Sequence, residues 1–353
     1  MERLRLAFIG SAGIPNRYGG FESFLEHCAP VIASFGHQVI VTCDAQLYPE
    51  KVRSYRGVDR LFLHIPANGG WSILHDLIAF FSVYLKSTHI VVLGVSGGLW
   101  FPLFRLLCNL AGKRLLVNID GVEWRRSKFG PGKRRLLRLL DYLAQKFSHH
   151  IIYDSEVLRG FLLKGVQNKA SCIAYPGDHV QRIPGIEKKI GTALTICRIE
   201  PENNLELLIE GALGSSLETY TIVGNWENSK YSIDLRARYS NEQRLNLLNP
   251  IYDPHALSQL RESCSFYIHG HSVGGTNPSL VEMLFYDCTL VCYDVLFNRK
   301  TAGDCASYFN SAGSLAVVLK NPGKVDAVMR RSFREKYTSI LISSQYINVA
   351  KLV

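Results

Sequence analysis

Alternating apolar runs and amphipathic segments recur along the whole chain, and they restrict its fold more than any other feature. The opening run RLRLAFIG (3–10) precedes a glycine-containing loop, a segment with an apolar stripe (20–36) and a second run, HQVIVTC (37–43). Continuous Val, Ile and Leu runs are typical of parallel strands that helices cover on both faces. Strand, loop, helix and strand in this order predict a βαβ unit.

The alternation stops and then restarts near residue 190, which indicates two domains. A chain of 353 residues is also longer than one hydrophobic core usually supports. We therefore predict an α/β fold of two doubly wound, Rossmann-like domains facing each other across a cleft, with residues 1–178 in the first and 191–337 in the second. Residues 179–190 lack periodicity and are predicted to be a linker, and the tail 338–353 is predicted to pack back on the first domain.

Basic residues are concentrated in the first half of the chain. Residues 1–170 contain 22 Lys and Arg against 12 Asp and Glu, whereas residues 171–353 contain 18 of each. Seven basic residues and no acidic one lie between Arg125 and Arg138. This asymmetry indicates an anionic partner, namely a membrane surface, a lipid phosphate or a nucleic acid, or else a helix face exposed to solvent.

Several other features bear on the class of protein. Nine cysteines occur without a CxxC pair, which is typical of buried thiols in a reducing compartment. His269 and His271 lack a third ligand, so no metal site is expected. The first strand starts almost at the N-terminus, so no signal peptide is expected. Charged residues interrupt the apolar region 71–110 before it reaches the roughly 20 residues of a membrane span, which leaves core helices or an interfacial helix.

The stretch HGHSVGGTNPSLVE (269–282) combines a strand end, two glycines and the start of a helix. Asn277 suits the helix N-cap and Pro278 the first helical position. Glycines allow a ligand to approach the backbone, and the amides at the start of a helix favour a phosphate. Glu282 lies about one turn later, where its carboxylate can accept ribose hydroxyls. The alternative is an ordinary strand-to-helix turn whose glycines serve only the turn.

The first domain offers two further strand ends. Gly19 and Gly20 open the helix after the first strand, beside Arg17, and their amides can meet a phosphate or simply start a helix. Asp120 and Gly121 follow the run RLLVNI, and Glu123 and Trp124 come directly after them. A carboxylate at a strand's carboxyl end is suited to a cleft between domains, whereas Asp-Gly is also a common turn.

The second domain adds Arg198, at the end of the run TALTICR, and Gly224, after TYTIV. A guanidinium at a strand end can clamp a diphosphate with its planar fork. A surface ion pair with Glu200 or Glu202 is the alternative for Arg198.

Together, RIEPENN (198–204), IVGN (222–225) and HSVGGTNPSLVEML (271–284) resemble motifs of retaining glycosyltransferases of the GT-B fold, in the order that those enzymes use. The similarity is to the large family of bacterial and plant hexosyltransferases numbered four. GIPNRYGGFE (13–22), NIDGVEWRRSKF (118–129) and GHSVGGTNPSLVE (270–282) resemble a narrower branch. That branch is typified by bacterial rhamnosyltransferases of capsule and O-antigen synthesis.

The resemblance implies a nucleotide-sugar donor held mainly by the second domain, an acceptor held by the first, and no metal or other cofactor. Asp120 would lie near the anomeric carbon, Arg198 would hold the diphosphate and Glu282 would bind the ribose. The other implied donor contacts are Gly19, Gly20, Gly224, Tyr252, Gly275, Thr276 and Asn277. The residues implied on the acceptor and membrane side are Arg17, Glu123, Trp124, Arg125 and Arg126.

Two positions depart from the wider family. Gly274 stands where the family has a glutamate that contacts sugar hydroxyls, and Asn203 stands where it has a phosphate-binding lysine. Both departures agree better with a 6-deoxy sugar donor, such as dTDP-L-rhamnose, than with an ordinary hexose.

We therefore expect a cytoplasmic enzyme, peripheral at the inner face of the plasma membrane and bound to its anionic surface. It would transfer L-rhamnose from dTDP-L-rhamnose to a polyprenyl-diphosphate-linked glycan with retention of configuration. The alternatives are a UDP-hexose or UDP-N-acetylhexosamine transferase, a sugar-nucleotide epimerase and a non-catalytic scaffold. A nucleic-acid-binding protein would also account for the basic charge, but no RNA-binding signature is present and nucleic acid is not expected as a partner.

Overall fold

The computed structural model describes residues 3–119, 121, 124, 129–323 and 327–353. They form two compact units: the chain up to Pro176 together with Ser339–Val353, and Gly177–Thr338. The predicted linker 179–190 lies within the second unit, whose first strand already begins at Lys189.

The first unit is built on an eight-stranded sheet. Its strands are β1 Arg5–Ile9, β2 Gln38–Asp44, β3 Ser54–Tyr55, β4 Val58–Leu63, β5 His89–Leu93, β6 Arg114–Asn118, β7 His150–Tyr153 and β8 Ala170–Cys172. Its helices are α1 Gly20–Ser34, α2 Ser72–Tyr84, α3 Phe101–Leu110, α4 Pro131–Phe147 and, from the C-terminal tail, α12 Ser339–Leu352. The strand order is β3-β4-β2-β1-β5-β6-β7-β8, with every described pair parallel except β3–β4.

The second unit is built on a six-stranded, parallel sheet of order β11-β10-β9-β12-β13-β14. Its strands are β9 Lys189–Ile196, β10 Thr219–Val223, β11 Leu245–Leu248, β12 Cys264–His269, β13 Thr289–Tyr293 and β14 Ala306–Phe309. Its helices are α5 Leu205–Leu213, α6 Lys230–Arg238, α7 Pro254–Ser263, α8 Pro278–Met283, α9 Leu296–Ala302, α10 Ala312–Lys320 and α11 Ala327–Glu335. Both sheets are doubly wound, which confirms the predicted fold class.

Each sheet has one point at which the strand order reverses. In the first unit this switch point lies between β1 and β5, and in the second it lies between β9 and β12. Ligands of open α/β sheets bind outside the carboxyl ends of the strands at such a point. The loops after β1, β5, β9 and β12 are therefore the parts of the fold where a site is expected.

The helix α1 shows how local sequence sets an element boundary. Phe24, Leu25, Cys28 and Ile32 recur at helical spacing and are all buried. Gly36 then adopts φ +88°, and its amide donates to the carbonyl of Ala33. Glycine is favoured in this left-handed conformation and ends the helix where the sequence predicts.

The tail helix α12 completes the core of the first unit. The ring of Tyr346 lies 4.8 Å from Phe24 and 6.0 Å from Phe8, measured between centroids. Its hydroxyl accepts a hydrogen bond of 2.8 Å from Nδ2 of Asn118, and Ser343 donates to the carbonyl of Cys28 on α1. These contacts bury the tail against the side of the sheet that carries α1.

The region 226–250 holds a helix and a strand that the apolar pattern did not predict. On α6 only Ser232 and Leu235 are buried, so the helix has too narrow an apolar stripe to be recognised. It is fixed instead by a reciprocal capping box between Ser229 and Ser232. The strand β11 lies at the edge of the sheet, and only Leu245 of its four residues is buried.

Candidate functional site

The loops that follow β9 and β12 are joined at the switch point of the second unit. Nδ2 of Asn203 donates to the carbonyl of Arg198 at 2.7 Å, which directs Oδ1 of the same amide toward Nδ1 of His271 at 2.9 Å. The amide of Ser272 donates to the carbonyl of Glu202. Asn203 thus links the two loops.

Two glycines allow these strand ends to approach each other. A Cβ on Gly270 would lie 2.2 Å from the carbonyl oxygen of Asn203, and one on Gly224 would lie 2.4 Å from that of Cys197. Such distances are too short for any side chain. Gly224 is buried, so the structure gives this predicted donor contact a packing role.

The loop after β12 leads into α8 as predicted. Asn277 is the N-cap, its side chain accepts from the amide of Ser279, and Pro278 is the first helical residue. Thr276 is buried just before the cap, and Gly275 is partly buried. The helix ends at Met283, and guanidinium groups of Arg334 and Arg182 donate hydrogen bonds to the carbonyls of residues 284 and 285 just beyond it. With six residues, its dipole alone is a weak source of anion binding.

Glu282, on α8, is bound by two basic side chains. Arg261 of α7 forms an ion pair with Oε2, and Nε2 of His179 lies 3.2 Å from Oε1. Burial by itself would raise the pKa of the Glu282 carboxyl, but the charge of Arg261 and the hydrogen bond from His179 outweigh it and hold this pKa below its usual value. Glu282 is therefore ionised and fixed in orientation.

The residues that support Glu282 were not predicted from the sequence. Arg261 is 21 positions away along the chain and His179 is 103 positions away, in the segment predicted to be a linker. Arg182, from the same segment, forms an ion pair with Glu262 of α7 and stacks on the ring of Tyr286 at 5.2 Å. None of these residues belongs to a recognisable motif, and only the packing of α7 on α8 brings them together.

Arg198 is an accessible cation at the end of β9. Its side chain is 60% exposed, and its Nε lies 3.9 Å from Oε2 of Glu200, at the limit of an ion pair. The predicted alternative, a surface ion pair with Glu200, is therefore present only as a loose contact. The guanidinium remains accessible to an anion.

Tyr252 and Gly274 are the other two residues of the second unit that the sequence singled out. Tyr252 is 88% exposed and follows β11, which is separated from β9 by β10, so the structure does not group it with the β9 and β12 loops. Gly274 has φ +120°, a conformation that side-chain-bearing residues rarely adopt. A Cβ there would meet one atom within 4 Å, Nε2 of His271 at 3.4 Å. A glutamate at 274 would therefore require a different backbone.

His269 is the last residue of β12 and His271 follows it, and both side chains contact other residues of the protein. His269 is buried and stacks on Tyr267 with ring centroids 6.1 Å apart, and burial lowers its pKa to about 3, so its ring is neutral. Within the described ranges, no cluster of three or more His, Cys, Asp or Glu side chains suited to a metal ion is found.

In the first unit, a hydrogen bond with α1 holds the loop that follows β1. Gly19 is the N-cap of α1 in an extended conformation, and Gly20 is its first residue. The buried carboxylate of Glu22 accepts a hydrogen bond of 2.6 Å from the amide of Ala12. Arg17 is exposed and lies over the ring of Tyr48 at 5.6 Å.

Of the residues expected on the acceptor side, the structure describes Arg17, placed above, and Trp124. Its indole N–H donates to Oδ2 of Asp141 on α4 at 3.1 Å, and Arg138 lies over its ring at 5.3 Å. Asp120, Glu123, Arg125 and Arg126 lie outside the described residues. Asn118, just before them, is directed to Tyr346 and belongs to the core.

Comparisons with known proteins are consistent with this architecture. A family model described as a domain of unknown function (DUF1972) matches residues 4–178, which make up the first unit apart from its tail helix. A search of curated protein sequences gave no significant match.

Solved structures share the fold along the whole chain. Sucrose-phosphate synthase from Thermosynechococcus elongatus matches with a TM-score of 0.78 and 12% identity, over 99% of each chain. HepE from Anabaena, solved with UDP and glucose, matches with a TM-score of 0.72 and 13% identity, over 99% of this chain and 100% of that one. The trehalose 6-phosphate synthase of Burkholderia multivorans matches with a TM-score of 0.64 and 11% identity, over 100% and 99%. These structural matches confirm the predicted GT-B fold. Because the sequence identities are so low, the matches establish the fold alone.

Proposed function

We propose that this protein is a nucleotide-sugar-dependent glycosyltransferase that binds its donor at the carboxyl edge of the second unit's sheet. The observation that carries the proposal is the Glu282 carboxylate, which Arg261 and His179 orient and keep ionised beside the switch point. An ionised carboxylate only accepts hydrogen bonds, and a nucleotide sugar presents ribose hydroxyls as donors. A carboxylate offers about four acceptor positions, so its two present contacts leave room for a hydroxyl.

Arg198 is the group proposed to meet the diphosphate. It lies at the end of β9, and Asn203 ties its loop to the loop after β12. A guanidinium binds phosphate oxygens with two parallel hydrogen bonds, and it stabilises the charge that develops on a departing nucleoside diphosphate. The amides around Thr276 and Asn277 are proposed to contribute further donors. Gly224, directly after β10, stays a predicted donor contact.

The proposed donor is dTDP-L-rhamnose. It is supported by the resemblance to bacterial rhamnosyltransferases and by the φ of Gly274, which disfavours a glutamate that would contact further sugar hydroxyls. UDP-linked sugars are the second candidate, because two structures with this fold, HepE and the pneumococcal O-GlcNAc transferase GtfA, contain UDP. The two donors differ at the ribose, since dTDP has only the 3′-hydroxyl whereas UDP has both. Glu282 therefore faces one hydroxyl or two.

The proposed acceptor is a polyprenyl-diphosphate-linked glycan of bacterial surface polysaccharide. Its support is the excess of basic residues in the first unit and the resemblance of residues 13–22 and 118–129 to the rhamnosyltransferase branch. We infer front-face attack with retention, in which a donor phosphate oxygen takes the acceptor proton. Asp120 is proposed to position the acceptor or stabilise the oxocarbenium-like centre.

The proposal is tested by incubating the full chain with a synthetic polyprenyl-diphosphate-linked sugar and, separately, dTDP-L-rhamnose, UDP-glucose or UDP-N-acetylglucosamine. We expect mass spectrometry to show one added deoxyhexose on the lipid, together with release of dTDP. Addition of a hexose or N-acetylhexosamine would replace the proposed donor with the second candidate. Conversion of a nucleotide sugar without transfer would indicate an epimerase, and absence of any turnover or donor binding would indicate a scaffold.

A further inference from the structure

Three consecutive helices of the first unit each expose an apolar stripe. Of the 24 large apolar side chains that are exposed among the described residues, eleven lie between residues 71 and 142. They recur at spacings of three, four and seven, so each set lines one side of its helix. The α2 stripe contains Leu74 and Phe81, with Trp71 and Leu85 just outside the two ends of the helix. The α3 stripe contains Leu103, Leu106 and Leu110, with Leu99 in the turn before the helix, and the α4 stripe contains Leu136, Leu139 and Tyr142. We call these eleven residues the apolar face.

The stripes belong to neighbouring helices on one side of the sheet. The rings of Phe80 on α2 and Phe104 on α3 stack at 3.9 Å, and the hydroxyl of Tyr84 donates to the carbonyl of Leu107 at 2.7 Å. The helix α3 packs in turn against α4. The crossovers from β4 through β7 all proceed in one direction along the sheet, and right-handed crossovers of one direction place their helices on one side. The inward stripes of these helices already form the core, so the apolar face is additional to it.

The same helices expose cations without exposed carboxylates. Lys133, Arg135, Arg138 and Lys146 of α4 are exposed. The two acidic residues of these helices are withdrawn from the surface. Asp76 is fully buried, and Asp141 is partly buried and accepts hydrogen bonds from Trp124 and Gln145. Leucine, aromatic and cationic residues thus make up most of the exposed residues of these helices.

The residue types of the apolar face and its surrounding cations indicate which kind of partner binds there. Large exposed apolar patches mark interaction sites on soluble proteins. In a symmetric interface between two copies, the same patch meets itself, so the α4 cations would oppose each other. The centres of protein interfaces are also depleted in lysine. Leucine and tryptophan side chains with lysine and arginine beside them are typical of helices that lie in the interface of an anionic bilayer. None of the described helices combines the length and apolar character needed to cross a bilayer.

We propose that the apolar face, with the exposed cations of α4, docks on an anionic lipid bilayer. The stripes of α2, α3 and α4 enter the headgroup region, and the lysine and arginine groups bind lipid phosphates. The helices start at the carboxyl ends of the strands, so the face extends from the edge where Gly121 and Trp124 lie. If the proposed function is correct, docking would bring a lipid-linked acceptor to that edge. The docking itself needs no sugar donor and is measured without one.

The test is sedimentation of the full chain with vesicles of pure phosphatidylcholine or of phosphatidylcholine mixed with phosphatidylglycerol. We expect binding to the mixed vesicles and at least tenfold weaker binding to the neutral ones. A triple variant Lys133→Gln, Arg135→Gln, Lys146→Gln should weaken binding to mixed vesicles by roughly 100-fold. A triple variant Leu103→Ser, Leu106→Ser, Leu110→Ser should weaken binding to both kinds of vesicle.

Matched controls separate docking from general effects. Leu296→Ser and Val317→Ser replace exposed apolar residues of the second unit, 56% and 62% exposed, and should leave binding unchanged. Circular dichroism and thermal unfolding check that each variant is folded. Equal binding by the wild type and both triple variants would overturn the proposal. The proposal would also be overturned if analytical ultracentrifugation showed a dimer that the Leu103→Ser, Leu106→Ser, Leu110→Ser variant no longer forms. The apolar face would then bind a second copy of the chain. Failure of sugar transfer with intact vesicle binding would contradict the proposed function alone.

Discussion

Arg261 and Glu282 form an ion pair that is almost closed to solvent, with side chains that are 9% and 15% exposed. A buried pair of this kind adds little net stability compared with apolar residues, but removing one partner leaves an uncompensated charge. Glu282 lies on α8, the helix that follows β12, and β12 is one of the two strands at the switch point of this sheet. We interpret the pair as a device that holds the carboxylate ionised for the donor.

Replacing Glu282→Gln should lower the free energy of unfolding by about 3 kcal/mol, because the buried Arg261 guanidinium loses its counter-charge. Urea unfolding of wild type and variant measures this difference. The matched control is Glu206→Gln, which breaks the exposed pair with Arg238 at 3.0 Å and should cost less than about 1 kcal/mol. Equal effects of the two substitutions would show that the Glu282 pair is not buried in solution.

The stability difference between wild type and Glu282→Gln should depend on pH. The pKa of Glu282 in the folded protein lies below its ordinary value of 4.5. The ionised carboxylate therefore stabilises the fold fully above that value, and its contribution is lost as the pH falls through the lowered pKa. Unfolding curves at pH 7 and at several values below 4.5 should show the difference between the two proteins narrowing on acidification. A difference that stays constant would mean that the pKa of Glu282 is unchanged by folding.

Arg198→Ala should slow sugar transfer strongly while leaving the fold intact. The side chain is 60% exposed with one loose ionic contact, so unfolding should change by less than about 0.5 kcal/mol. Loss of a group that stabilises charge in the transition state should slow transfer by about 100-fold or more. Arg238→Ala, which removes a 58% exposed arginine of the same unit, is the control and should leave transfer unchanged. Unaltered transfer by Arg198→Ala would exclude the proposed diphosphate contact.

Gly274→Ala and Gly313→Ala should change stability in opposite directions. Gly274 has φ +120°, where an added Cβ is strained, so we expect a loss of about 1 to 3 kcal/mol. Gly313 lies within α10, and an added Cβ there would meet no atom within 4 Å. Alanine at this position should therefore stabilise the folded protein by about 0.5 to 1 kcal/mol. Thermal unfolding of both variants measures the two effects, and a stabilising Gly274→Ala would show that this loop adopts another conformation.

The sequence predicts the framework of this site better than its details. Apolar periodicity located strands such as β1, β2 and β9 but missed the edge strand β11. The local pattern at Asn277 and Pro278 located the start of α8, because a helix cap depends on neighbouring residues. The partners of Glu282 were not predictable, since Arg261 and His179 reach it only through tertiary packing. Gly224 was assigned to the donor from its place at a strand end, whereas its burial against Cys197 reflects a packing requirement that spacing does not reveal. The roles of Asp120, Glu123, Arg125 and Arg126 remain predictions.

Donor binding by wild type and by Glu282→Gln tests the central claim most directly. Each protein is heated with dTDP, UDP, GDP or no ligand, and the shift in unfolding temperature is compared. A nucleoside diphosphate at about 100 times its dissociation constant stabilises the fold by roughly 2.7 kcal/mol. We expect at least one nucleotide, with dTDP as the first candidate, to stabilise the wild type and to stabilise the variant much less. A wild type that no nucleoside diphosphate stabilises, or equal shifts in both proteins, would contradict a donor site at Glu282.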